Sequence, residues 1–385
     1  MNILHYTWHE NSSEDIQSTF RQLGHCVSTI SFPFSDYDED PLFESAITTA
    51  MRQSNADCIF TFDFFPLISK AAQEFHIPYI SWIYDMPHTT LFSPAIHNSV
   101  NYVFIFDYNL YHILIQQNPD SQIYHLPLAV NTRRMIDLLG MPPEQSGTQY
   151  DVSFVGSLYE RCLYNQIQYL PDYLNGYLAG IMNAQQKICG GTFINDVLTP
   201  NILSELENYV KLEIPDQYQI TYKNLFADLI AEKITSTERI QLLSKIAAQH
   251  SFTLFTASDP ELIPNAQLGG IVSYTQKMPE VFRTSKINLN ITLRSITSGI
   301  PLRAMDIMGA GGFLLSNYQP ELDAYFKNGE DCILFENESD MLCSIDYYLE
   351  HEKERKEIAC NGFRKVHQEF SYPVQVQKIL STVFS

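Results

Sequence analysis

Long apolar runs are missing from these 385 residues: no window approaches the ~18 consecutive apolar residues that a bilayer-spanning helix needs. The N-terminus, MNILHYTWHE, has no basic segment leading into an apolar core, so an export signal is not expected and a cytoplasmic protein is. Cations are scarce too. With 24 Lys and Arg against 44 Asp and Glu, the formal charge is -20, and the overall field repels a polyphosphate backbone. Nucleic acid is therefore not an expected partner, and an anionic small ligand needs a local positive site. Paired cysteines are absent: the seven, at 26, 58, 162, 189, 332, 343 and 360, are scattered without a C-x-x-C, which argues against zinc or disulfide chemistry and for buried thiols in a reducing compartment. The glycine fingerprint of nicotinamide enzymes is also lacking, since the first strand runs into Trp8-His9-Glu10-Asn11 and not G-x-G-x-x-G. No low-complexity tract appears.

What is present is alternation. Short apolar strands (Asn2 to Trp8, Cys26 to Phe32, Asp57 to Phe62, Pro78 to Tyr84, Tyr102 to Phe106, Ile123 to Leu126) are separated by segments of helical spacing. That order predicts a parallel sheet covered on both faces. The stretch Met141-Pro142-Pro143-Glu144-Gln145-Ser146-Gly147 reads as the domain boundary, after which Asp151 to Val155 starts a second α/β half. Its further strands are expected at Phe252 to Thr256, Ile271 to Tyr274, Ile287 to Ile291, Gly312 to Leu315 and Cys332 to Phe335. A mostly helical stretch at about residues 165–246 reads as an insert. The fold class is thus α/β with two Rossmann-like domains, 1–145 and 150–370, and a last segment, 371–385. Ligands of such folds sit at strand carboxyl ends, here in the cleft between the halves.

Two segments carry candidate chemistry. In Ser295 to Leu315, Thr297 or Ser298 can cap a helix, Gly299 and Ile300 lead into Pro301, and Arg303 lies in the first turn. Free N–H groups and the positive helix end there suit a diphosphate. The plainer alternative is that Gly299 and Pro301 only start a helix and Gly311-Gly312 only permits close packing. In Phe154 to Arg161, Gly156 and Ser157 follow a strand and Arg161 adds a cation; alone, the same pattern describes an ordinary turn.

These segments, with Phe282 to Asn290 and Pro320-Glu321-Leu322, resemble the C-terminal domain of GT-B glycosyltransferases, in the group related to the spore maturation protein CgeB. Thr61 to Pro66 and Ile80 to His88 are similar to the domain that precedes it. The resemblance implies two domains across a cleft, with a nucleotide diphosphate sugar on the second, an acceptor on the first, and the C-terminal segment packing back on the first. Donor contacts would fall on Gly156, Ser157, Arg161, Ser298, Gly299, Ile300, Arg303 and Asp306. Asp306 stands where retaining relatives have a ribose-binding Glu, and Ser298 where they have the Glu that touches the donor sugar. No cofactor is implied; a UDP-sugar is favoured as substrate, and the acceptor is a carbohydrate, a protein or a small molecule.

Transfer needs a cation at the leaving diphosphate, for which Arg303 serves, and a base at the acceptor hydroxyl if the enzyme inverts. Asp85 and His88 follow a first-domain strand at its carboxyl end and are the candidate bases; a structural role for His88 is the alternative. Trp8 and His9 would line the acceptor side. Asp36-Tyr37-Asp38 offers a D-x-D metal pattern, but in a chain this acidic the reading is metal-independent. Nucleotide-sugar binding without turnover, as a surface or spore-associated scaffold, is the alternative function.

Overall fold

Strands joined by helical crossovers return to the same end of a sheet and pair in parallel. The computed structural model describes residues 1–142 and 147–384, and falls into two such units.

The first unit holds β1 (Asn2–Tyr6), α1 (Ser13–Gln22), β2 (Cys26–Ile30), α2 (Pro41–Ser54), β3 (Cys58–Phe62), α3 (Pro66–Phe75), β4 (Tyr79–Trp82), β5 (Asn101–Ile105), α4 (Tyr108–Gln117) and β6 (Ile123–His125). Its strands are all parallel, in the order β2-β1-β3-β4-β5-β6. Strands β3 and β4 are buried at every position, as apolar strands covered on both faces must be, whereas the edge strand β2 is half open. Asp40 starts α2 by accepting the N–H groups of Leu42 (3.1 Å) and Phe43 (3.0 Å), with Pro41 in the first turn.

The second unit runs α5 (Thr132–Leu139), β7 (Tyr150–Val155), α6 (Asp172–Gln185), α7 (Ile194–Val197), α8 (Pro200–Leu206), α9 (Tyr222–Gln249), β8 (Phe252–Phe255), β9 (Gln267–Leu268), α10 (Lys277–Thr284), β10 (Ser285–Asn290), α11 (Leu302–Gly309), β11 (Leu314–Asn317), α12 (Pro320–Tyr325), β12 (Ile333–Phe335), α13 (Glu338–Glu350) and α14 (Glu352–Glu369). The parallel order β12-β11-β10-β7-β8-β9 is that of a doubly wound Rossmann sheet, with its switch between β7 and β10. The last helix, α15 (Tyr372–Val383), belongs to the first unit and packs on α1.

Three boundaries differ from the sequence reading. The units change at Asn131/Thr132, not at 145, because α5 packs on α10 of the second unit; residues 143–146 of the expected proline boundary lie outside the described residues. The insert is helical as expected and has its own core of Leu174, Leu178, Ile181, Phe226, Ile230 and Ile234, but Pro215–Ile220 belongs to the first unit, where the Gln219 N–H donates to the Phe92 carbonyl at 2.8 Å. Ile271 to Tyr274 is not a strand: β9 lies earlier, paired with β8, and Gly269-Gly270 ends it. A Cβ at Gly269 would stand 2.1 Å from the Phe255 ring and Gly270 has φ +73°, so the backbone presses on β8 and turns away.

Candidate functional site

At the switch point of the second sheet, the loops after β7 and β10 are joined by a residue that the sequence reading missed, Arg239. On α9 the apolar face passes from the insert core (Phe226, Ile230, Ile234) to the sheet core (Leu242, Leu243, Ile246), and Arg239 lies at the junction, 8% exposed. Its Nε donates to the Ile291 carbonyl at 3.0 Å and its Nη1 to the Ser157 carbonyl at 2.6 Å; Nη2 also reaches Ile291. The rings of Phe154 and Tyr159 flank the guanidinium at 5.3 and 5.0 Å. Every hydrogen bond runs to a carbonyl, and no carboxylate forms an ion pair with it among the described residues. Burial draws the guanidinium down to about 10; Tyr159 opposes the shift and nearby Arg303 adds to it. An arginine on the buried stripe of a helix was the available signal, and it is legible at positions 235, 239, 242, 243 and 246.

Gly156 keeps this approach open: a Cβ there would stand 3.3 Å from the Phe154 ring and 3.6 Å from Arg239 Nη1. Beyond Ser157 the loop lines a cavity of about 300 Å³ with Tyr159, Glu160, Arg161, Glu232 and Ser258. The Arg161 side chain is 90% exposed, with its Nε 3.8 Å from Glu160, and is not gathered to Arg239.

Helix α11 begins at Leu302 with Pro301 at its N-cap and no side-chain cap, so neither Thr297 nor Ser298 caps it. Ser298 is drawn elsewhere: its hydroxyl donates to Glu321 Oε1 at 2.9 Å and its carbonyl accepts the Glu321 N–H at 3.0 Å. Gly299 and Ile300 are buried beside it, Ile300 in the core. Arg303, one turn before Asp306, places Nη1 3.6 Å from Asp306 Oδ2, with its guanidinium 5.7 Å from the Phe282 ring centroid. Asp306 Oδ1 accepts the Tyr274 phenol at 3.2 Å. The loop after β10 is held to the insert by Arg294, which grips Glu238 with two bonds (2.9 and 2.6 Å) and donates to the Ile188 carbonyl at 2.8 Å.

The first unit has its own switch, between β1 and β3. After β1, Glu10 organises the turn: Oε2 accepts the Trp8 N–H (3.0 Å) and the Thr7 hydroxyl (2.9 Å), and Oε1 faces His5 Nε2 at 3.3 Å in the interior. Burial raises the Glu10 carboxyl, but the bonds from His5 and Thr7 outweigh it and hold the group below its ordinary range. Trp8 is 38% exposed, and His9, at φ +71°, sets Nε2 3.1 Å from the Ser31 hydroxyl. After β3, Asp63 Oδ1 accepts the Tyr84 (2.9 Å) and Asp85 (3.1 Å) N–H groups. Asp85 opens to solvent, yet its carboxyl is pushed up to about 6, first by desolvation among the loops around it and then by the Asp63 charge, with His88 opposing. His88 Nε2 accepts the Phe64 N–H at 3.0 Å and lies 2.8 Å from the Thr90 hydroxyl, so its lone pair is committed to the β3–α3 turn. The D-x-D residues are used locally: Asp36 Oδ1 accepts the Asp38 (2.7 Å) and Glu39 (2.9 Å) N–H groups, and the Asp38 carbonyl accepts Lys70 at 2.6 Å. Among the described residues no group of three or more His, Cys, Asp and Glu is placed to hold a metal ion, and no helix is long and apolar enough to cross a membrane.

Residues 239–381, less than half of the chain, match a family model described as glycosyl transferase-like. No curated protein matches the sequence. Solved structures with the same fold include sucrose-phosphate synthase from Thermosynechococcus elongatus, 10% identical, TM-score 0.58, covering 99% of this chain and 98% of that one. Anabaena HepE in complex with UDP and glucose is 11% identical, TM-score 0.55, with both chains covered in full. The T4 phage BGT in complex with its UDP-glucose substrate is 10% identical, TM-score 0.52, again over both full chains. The chain has the GT-B glycosyltransferase fold, and its residues 239–381 carry the pattern of a glycosyl transferase-like family.

Proposed function

We propose that the protein is a metal-independent glycosyltransferase that takes a sugar from a nucleotide diphosphate sugar, a UDP-sugar being favoured, and passes it to a hydroxyl of a carbohydrate, protein or small molecule. The observation that carries this reading is Arg239. A buried guanidinium without a counter-ion is costly, and a bound anion relieves that cost. Arg239 stands at the switch point of a Rossmann sheet, where such ligands bind, with Gly156 and Arg303 close to it. Two arginines supply the charge that a metal would otherwise supply to the leaving diphosphate. In the transfer the acceptor oxygen bonds to the anomeric carbon as the carbon–oxygen bond to phosphate breaks. The diphosphate leaves with the bonding electron pair, and the acceptor proton goes to a base. Asp85 is the better candidate for that base in an inverting reaction, since it keeps a lone pair where His88 spends its own. Kinship with the CgeB group is supported by the residues of Phe282 to Asn290 and Pro320 to Leu322, and a cytoplasmic setting by the scattered thiols. The net charge of -20 favours an acceptor other than nucleic acid.

The test is calorimetry with UDP, GDP, ADP, CDP and TDP and their sugars, with and without EDTA, followed by an assay for sugar release or transfer. Chelator-resistant binding of one diphosphate, with turnover of its sugar, is expected. Binding without turnover supports the scaffold reading, to which the engaged Ser298 hydroxyl lends itself, and no binding at millimolar concentration overturns the donor site.

A further inference from the structure

A carboxylate is the usual acceptor for ribose hydroxyls in Rossmann-type units, and it takes both when both of its oxygens are open. Next to the arginines of the second unit that carboxylate is Asp306, and its Oδ1 is already hydrogen-bonded. Oδ1 accepts the Tyr274 phenol at 3.2 Å, Oδ2 lies 3.6 Å from Arg303 Nη1, and the side chain is 1% exposed. Tyr274 is itself pinned. The Arg134 guanidinium lies 5.4 Å from its ring centroid and donates to the neighbouring Thr275 carbonyl at 3.0 Å. Ser273 fixes the turn on α10: its hydroxyl accepts the Lys277 N–H and its carbonyl the Met278 N–H, each at 3.0 Å. A phenol that donates to a carboxylate makes the bond that a sugar hydroxyl would make.

We infer that Tyr274 determines nucleotide specificity by occupying the ribose acceptor of Asp306, so that the protein takes 2′-deoxyribonucleoside diphosphates as readily as ribonucleoside diphosphates. The inference rests on the proposed donor site. Recognition then falls on the diphosphate at Arg239 and Arg303, and the 2′-hydroxyl adds little.

Titration calorimetry of the full chain with UDP, GDP and ADP, each beside its 2′-deoxy counterpart, measures this directly. For a nucleotide that binds, the two affinities are expected to agree within about threefold, below the ~tenfold that one hydrogen bond to a charged group supplies. Tyr274→Phe opens Oδ1 and is expected to shift the ratio about tenfold toward the ribose form. A wild-type preference of tenfold or more for ribose overturns the inference and leaves the donor site standing. An unchanged ratio in a folded Tyr274→Phe protein overturns the role of Tyr274. Failure of every nucleotide to bind overturns the donor site and the inference together. The wild-type ratio stands by itself should the variant not fold.

Discussion

The two sheets are alike in strand count and all-parallel pairing, yet their switch points carry opposite chemistry. At β7 and β10 of the second unit the groups are cations, Arg239 buried with no carboxylate in an ion pair with it among the described residues and Arg303 nearby. At β1 and β3 of the first unit they are carboxylates and imidazoles: Glu10 against His5, and Asp63 beside Asp85. One fold thus carries arginines at one switch point and carboxylates with imidazoles at the other, so the loops, not the architecture, set the difference.

That division can be broken from either side. On the first unit, Asp85→Asn is expected to lower kcat about 100-fold or more while nucleotide affinity stays as it was, since a positioned base contributes ~10² to 10⁴. In the wild type, activity should rise as pH climbs through about 6, and the variant should lose that limb. The stability sign runs the opposite way. Because the Asp85 carboxyl is raised from 3.8 to about 6 in the folded chain, its contribution is full below 3.8 and is lost as pH rises to about 6; Asp85→Asn removes that fall from a melting-temperature profile. On the second unit, Arg239→Met is expected to weaken diphosphate binding by roughly 10- to 100-fold with far-UV circular dichroism retained, as befits the loss of charge-assisted bonds. Arg303→Ala should cost about tenfold in the same titration, because Arg303 is half committed to Asp306. The smallest effect tests packing alone. Gly312→Ala puts a Cβ 2.7 Å from the Phe282 carbonyl, and should lower stability by ~1 to 3 kcal/mol in a denaturant melt without changing the affinity ratio between nucleotides.

Much of the architecture was legible because its cause is local. Runs such as Cys58–Phe62 and Phe252–Phe255 are largely apolar over strand length and separated by helical spacing, which suffices for parallel α/β units. The glycine loop at Gly156 and the helix start near Arg303 could be read in the same way. Asp36 shows the limit: Asp36-Tyr37-Asp38 offers a metal pattern until the Asp36 carboxylate is seen to accept the Asp38 and Glu39 N–H groups. Ser298 shows another, since a capping residue in the right place bonds instead to Glu321, 23 residues later. Arg239 was the larger omission: it sits in a long helix far from both loops in sequence and reaches Ser157 and Ile291 only after folding.

By itself, then, the sequence determined the elements, their parallel class and the loops rich in glycine, because periodicity, capping and turn chemistry act over a few residues. Tertiary structure decided which charges meet. The ion pair of Arg294 with Glu238, the commitment of His88 to Phe64, the isolation of Arg239 and the hold of Tyr274 on Asp306 all join residues 24 to 82 positions apart. Such contacts depend on the crossing of whole elements in space, to which no local pattern is sensitive.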